Sequence, residues 1–262
     1  MRYKLTIEYE GTRYSGWQIQ PRIKTIQGVI TDAISNSLNQ KDVAIYGSGR
    51  TDSGVHALEQ TAHFDSQTKL KPEIIRHKIN DLLPHDINIL NIEKVASNFH
   101  ARHDAMQRSY VYLISKRRTA FGKTFVWWLK DKLDTELMIK SSQYFLGLHN
   151  FVSFADKNRE DGSTSVKVEG IEFYETNSMI IIRIAASHFL WKMVRRMVGL
   201  IVEVGRKNLN PNIIENALNN YTDLPARYTA PPSGLYLEKV LYSANDTIKP
   251  LEEIYPRLPF QY

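Results

Sequence analysis

The residues best suited to chemistry lie in one block, Gly47-Ser48-Gly49-Arg50-Thr51-Asp52-Ser53-Gly54-Val55-His56-Ala57. Its glycines let a backbone turn tightly and approach a ligand closely. They flank a single acid, Asp52, with Arg50 two residues away. A carboxylate beside a fixed positive charge stays ionised at neutral pH, since a nearby arginine lowers an aspartate pKa below its usual value of about 3.9. Such a group serves as nucleophile or base. The competing reading is an Asx-turn in which Asp52 bonds its own backbone, and turn aspartates far outnumber catalytic ones.

Two further segments carry polar chemistry. Residues 107–115 alternate as a strand, with Ser109, Val111 and Leu113 on one face and Arg108, Tyr110 and Tyr112 on the other. The first face predicts core. The second suits base stacking and phosphate contact, or else a tyrosine pair packed under a helix. The run from Ser187 to Val204 predicts an apolar helix that holds Arg195, stacked at four-residue spacing with Trp191 and Gly199. An arginine close to an apolar face needs an anion, and Asp52 is an attractive partner. Snorkelling to solvent suits the neighbouring Arg196 better than Arg195. Phe99-His100-Ala101-Arg102-His103 joins an aromatic to a basic cluster. No third ligand accompanies its two histidines, which argues against a metal centre.

The elements that must position these groups follow from periodicity. Alternation predicts strands over 2–9, 42–47, 58–65, 87–95, 107–115, 167–175, 179–186 and 235–242. Helical spacing predicts 26–38 with Thr25 as N-cap, a helix opening at Pro72, 134–146 capped by Asp134, 188–204, and a short helix after Asn210-Pro211. Short strands with few helices indicate an α+β fold with antiparallel sheet. The expected organisation is an N-terminal half, 1–105, carrying the Asp52 loop, a C-terminal half, 106–243, and an irregular tail, 244–262. Residues 156–165 read as a polar, flexible loop.

Composition narrows the function. At 262 residues the chain accommodates one large domain or two fused halves. It has no cysteine, which removes disulfides, thiol nucleophiles and thiolate metal sites, and suits a reducing, cytoplasmic setting. No signal peptide is visible, and no apolar run approaches the roughly 18 residues of a membrane span. The net charge is +6. Residues 101–130 hold seven lysines and arginines against one acid, so the rest of the chain sums to zero. Aromatics interleave with that charge, from Tyr110 to Trp128, which reads as a polyanion-binding surface or a solvated basic face.

Six separated blocks carry a resemblance. Tyr9-Glu10-Gly11, the Gly49–Ala57 loop with Phe99-His100-Ala101-Arg102, Arg108-Ser109-Tyr110-Val111-Tyr112, Phe189-Leu190-Trp191-Lys192-Met193-Val194-Arg195-Arg196 and Ala230-Pro231-Pro232-Ser233-Gly234-Leu235-Tyr236-Leu237 occur in the order of the TruA family of tRNA pseudouridine synthases, which the chain resembles over about residues 1–243. The resemblance implies two ferredoxin-like α/β halves sharing a continuous antiparallel sheet with a central basic cleft. It implies a homodimer that grips one tRNA and isomerises uridine to pseudouridine at positions 38, 39 and 40 of the anticodon stem-loop. It makes Asp52 the nucleophile and gives Arg50 the task of extruding the nucleotide and orienting the acid. Tyr110 would stack on the flipped base or act as base, and Arg195 would pair with Asp52. Phe99 to His103, the loop from Arg159 to Ser163, and Leu237 become substrate contacts. No cofactor, metal or membrane is implied. Ser53 stands where the family usually has Ala, Trp17 where Phe is commoner, and Trp191-Lys192 replaces Tyr-Asn. The competing readings are a non-catalytic RNA-binding module on the same surface, and a metal-dependent phosphodiesterase or glycosidase pairing Asp52 with Glu59.

Overall fold

A computed structural model describes residues 1–156 and 162–254. The chain is α+β with mostly antiparallel strand pairing. It divides into two compact units, Met1–Met106 with Tyr236–Thr247, and Gln107–Leu235 with the segment from Ile248 onward. Residues 236–243, expected in the second half, therefore group with the first.

The first unit runs β1 (Arg2–Tyr9), α1 (Ile26–Leu38), β2 (Ile45–Gly47), β3 (His56–Asp65), α2 (Pro72–Asn80) and β4 (Ile87–Val95). β1 lies antiparallel between β3 and β4, and β2 pairs antiparallel with β3. That is the βαββαβ arrangement of a ferredoxin-like half. Alternation in β1 buries Tyr3, Leu5, Ile7 and Tyr9. The helices cover the sheet through Ile26, Ile30 and Ile34 and through Ile75 and Ile79. The Thr25 hydroxyl caps α1 by accepting from the Gly28 amide, at 3.3 Å. A later strand, Leu235–Leu241, pairs in parallel with the start of β3, Tyr236 opposite His56 and Leu237 opposite Ala57.

In the second unit β5 (Gln107–Ser115) pairs antiparallel with β9 (Met179–Ala186), which pairs with β8 (Ser165–Glu175), which pairs with β7 (Gly147–Asn150). A two-residue strand, β6 (Trp127–Trp128), lies parallel to β5. The helices are α3 (Thr135–Ser142), α4 (Met193–Gly205), α5 (Ile213–Asn219), α6 (Leu224–Arg227) and α7 (Leu251–Ile254), and the Leu235–Leu241 strand is β10. Asp134 caps α3 by accepting from the Leu137 amide, at 3.1 Å.

Two further sequence expectations change here. The helix expected from residue 188 starts at Met193, because Lys192 adopts φ 63°, a left-handed conformation that a continuing helix forbids. Arg196 does not snorkel. It is 8% exposed, donates to the Ala155 carbonyl, and approaches Asp156 at 3.9 Å. α4 is buried nearly all round, so little solvent lies within reach of this side chain. No helix among the described residues is long and apolar enough to cross a membrane.

Candidate active site

The Asp52 loop connects β2 to β3 and is held from both sides. Behind it, the Gln60 side chain spans the loop base. Its amide oxygen accepts from the Ser48 hydroxyl at 2.6 Å, and its nitrogen donates to the Gly49 carbonyl at 3.1 Å. In front lies the segment Gly11–Trp17. The Trp17 amide donates to the Thr51 carbonyl at 3.1 Å, the Ser53 hydroxyl to the Tyr14 carbonyl at 3.0 Å, and the Gly11 amide to His56 Nδ1 at 3.1 Å. The Tyr9 hydroxyl and the Thr51 hydroxyl share a buried hydrogen bond of 2.9 Å. Burial pushes the Tyr9 phenol pKa up, so that hydroxyl stays protonated. Between these anchors the Val55 amide closes a turn onto the Asp52 carbonyl, with Gly54 at φ 79°. Asp52 is thus half-buried on a loop whose neighbours are fixed, and Arg50 is exposed beside it.

Two glycines make that clamp sterically possible. A Cβ on Gly11 would stand 1.9 Å from the Val55 carbonyl oxygen. One on Gly16, itself at φ 88°, would stand 2.5 Å from the Thr51 carbonyl oxygen. His56 accepts through Nδ1, so as a neutral ring it carries its proton on Nε2. It is buried, and it stacks on Tyr236 with centroids 4.7 Å apart.

Leu237, the next residue of β10, is 1% exposed and presents no open surface. Phe99 and His100 are half-buried and Ala101 is buried, while Arg102 and His103 are exposed. The segment is a set of turns closed on itself. His100 Nδ1 accepts from the Arg102 and His103 amides, and Asp104 accepts from the His100 amide at 2.8 Å. The Ala101 amide donates to Nδ1 of buried His63, and the Ala101 carbonyl accepts from the Tyr242 hydroxyl at 2.7 Å. Burial, reinforced by the Arg2 charge, lowers the His63 pKa to about 4. Its exposed neighbour Tyr46 stacks on the same ring, with centroids 5.1 Å apart.

The remaining candidates belong to the second unit. From Ser109 onward β5 is covered on both faces, which fits the packed tyrosine pair rather than an open stacking face. Tyr110 is 8% exposed and meets Phe189 edge-on at 5.0 Å. Tyr112 is fully buried, meets Trp127 edge-on, and donates to the Pro231 carbonyl at 2.7 Å. Arg108 donates to the Ser187 carbonyl at 2.9 Å. Arg195 is half-buried and pinned to the same proline-rich segment. Its Nε donates to the Ala230 carbonyl at 2.7 Å, and its own carbonyl accepts from the Ala230 amide at 3.0 Å. Gly199 permits this docking, since a Cβ there would stand 1.6 Å from the Tyr228 carbonyl oxygen. Ser163 is exposed and accepts from the Ser165 amide, and Arg159 lies outside the described residues.

Sequence reasoning missed the supports. Tyr14, Asp86 and Gln60 carry none of the spacing that marks a site. Their only signal was a polar residue in a loop for Tyr14, at a strand end for Asp86 and inside a strand for Gln60. No group of His, Cys, Asp or Glu among the described residues is arranged to hold a metal ion.

A family match and similar sequences point the same way. A family described as tRNA pseudouridine synthase matches residues 5–104 and 142–243. The chain is 39% identical over 246 residues to tRNA pseudouridine synthase A of Ehrlichia chaffeensis, covering 92% of this chain and 100% of that one. It is 41% identical over 240 residues to the protein of the same name from Caldicellulosiruptor saccharolyticus, covering 91% and 98%. A solved structure titled as a Cbf5-Nop10-Gar1 complex aligns with a TM-score of 0.33 and 13% identity over 76% of this chain and 54% of that one, too loosely to bear on function. Identity at this level over nearly the whole length of both proteins, together with a family match that spans the clamped aspartate loop, means that the chain belongs to the TruA family of tRNA pseudouridine synthases.

Proposed function

We propose that the chain isomerises uridine to pseudouridine in tRNA, with Asp52 as nucleophile. The observation that carries this reading is the loop itself: a single half-buried carboxylate, beside Arg50, on a turn gripped by Gly11–Trp17 and Gln60. The reaction breaks the bond between C1′ and N1 and joins C1′ to C5 of the same uracil. The C5 hydrogen leaves to solvent and N1 gains a proton, so atoms balance without a cosubstrate. Attack at the anomeric carbon, addition to the uracil ring, and assisted elimination at the sugar all need an ionised carboxylate in the place Asp52 occupies.

The uridine must leave its stack first, at a cost of a few kcal/mol. Arg50 extrudes the nucleotide and orients the acid, and Arg195 supplies the cation for Asp52. Phe99 to His103 and Arg159 to Ser163 contact the tRNA, and the basic stripe of residues 101–130 offsets the flipping cost through phosphate contacts. The substrate sites are positions 38, 39 and 40 of the anticodon stem-loop, and the working form is a cytoplasmic homodimer. Support for these details comes from the motif-by-motif resemblance.

The test is tritium release from tRNA transcripts carrying uridine labelled at C5. Stoichiometric release, with pseudouridine mapped to the anticodon stem-loop, supports the proposal. Tight tRNA binding without release identifies a non-catalytic RNA-binding module instead.

A further inference from the structure

We infer that Asp86 is a positioning residue for Asp52, acting through Tyr14 and the Gly11–Trp17 segment; this rests on the nucleophile reading above. Asp86 sits in the turn that enters β4, far in sequence from the Asp52 loop. Its side chain is 1% exposed, yet both carboxylate oxygens are engaged by one neighbouring segment. Oδ1 accepts from the Tyr14 hydroxyl at 2.6 Å, and Oδ2 takes the Arg13 guanidinium at 2.8 Å. The Asp86 carbonyl accepts from the Glu10 amide at 2.9 Å.

A buried carboxylate is costly unless fully paired, so these bonds hold the Glu10–Tyr14 turn to one geometry. That turn passes the constraint on. The Tyr14 carbonyl receives the Ser53 hydroxyl, next in sequence to Asp52. Gly11 and Gly16 lie against Val55 and Thr51 with no room for a methyl group. Trp17 meets Thr51 through the backbone, and the Gly16 and Trp17 carbonyls accept the first amides of α1. Every residue flanking Asp52 from Thr51 to His56, Gly54 excepted, therefore touches a segment anchored by Asp86. Ser53 adds a link that an alanine at this position would lack.

The experiment measures single-turnover tritium release and tRNA affinity for Tyr14→Phe, Asp86→Asn and their combination, with Asp52→Asn alongside. Tyr14→Phe keeps the ring and removes only the hydroxyl, so it tests the link in a folded protein. Each single variant should slow the chemical step about tenfold or more, or about 1.4 kcal/mol, with tRNA affinity within about threefold. The pair should be little slower than the worse single variant, because both break one link. Rates within about twofold of wild type overturn the inference. So does strict additivity, or a loss confined to affinity. If Asp52→Asn still turns over, the nucleophile reading fails. If that variant is inert while the others run at full rate, only the positioning role fails.

Discussion

Replacing Gly11 by alanine adds one methyl group where the structure leaves none. The new carbon would lie 1.9 Å from the Val55 carbonyl oxygen and 2.6 Å from its carbon. An ordinary contact of this kind is 3.4–4 Å, so the two segments must part by about 1.5 Å or more. That separation acts on the turn that begins at Asp52, because Val55 closes it by donating to the Asp52 carbonyl. Misplacement of about 1 Å costs a catalytic group roughly 100-fold in rate, or about 2.7 kcal/mol of barrier. Overpacking of this size also costs about 1–3 kcal/mol of stability, which in a chain of this length lowers Tm by several degrees. The assay is kcat by tritium release below the variant's Tm, with Gly170→Ala as control, since nothing lies within 4 Å of a methyl group there. Gly11→Ala should lose about two orders of magnitude in kcat while the control does not. A folded Gly11→Ala enzyme within about twofold of wild type would refute the clamp.

Other outcomes follow from the same contacts. His63 has a folded pKa of about 4 against an ordinary 6.5. Above pH 6.5 both folded and unfolded chains hold it neutral, and it contributes nothing. Below that the unfolded chain takes the proton first, so stability falls by up to about 3 kcal/mol between pH 6.5 and 4. Urea unfolding across that range should show a shallower pH slope for His63→Gln, and an unchanged slope would remove His63 from the account. Alanine at Lys116, Arg117 and Arg118 together should weaken tRNA binding and flatten its dependence on salt. An unaltered slope would mean that this cluster faces away from RNA. Tyr110→Phe should retain tRNA affinity, and a wild-type rate of turnover would exclude a base role for its hydroxyl.

Much of this molecule was legible where local rules dominate. Alternation located β1, and capping chemistry located the starts of α1 and α3 at Thr25 and Asp134. The Asp52 loop was legible because glycines, an arginine and an acid crowd one turn. What escaped depends on residues that meet only after folding. Arg196 looked like a surface arginine, but Ala155 and Asp156 lie about forty residues away and bury it. Arg183 lies inside the apolar strand β9. It is 2% exposed, held by Glu172 and by the Lys249 carbonyl of the tail. Tyr110 and Tyr112 alternate as if one face were open, yet Phe189, Trp127 and Pro231 close over it from later segments. Helical spacing also continued back to residue 188, whereas a left-handed Lys192 stops the helix there, and its amine pairs with Asp156 at 2.9 Å.

The central claim is that one carboxylate carries out the isomerisation, and the most direct measurement pairs two readings on Asp52→Asn. Pseudouridine formation in tRNA, followed by release of the C5 label and by mass spectrometry, should be abolished. Affinity for the same tRNA should stay within about tenfold of wild type, or 1.4 kcal/mol, because the amide preserves the shape of the loop. Substantial pseudouridine formation by that variant would contradict the account.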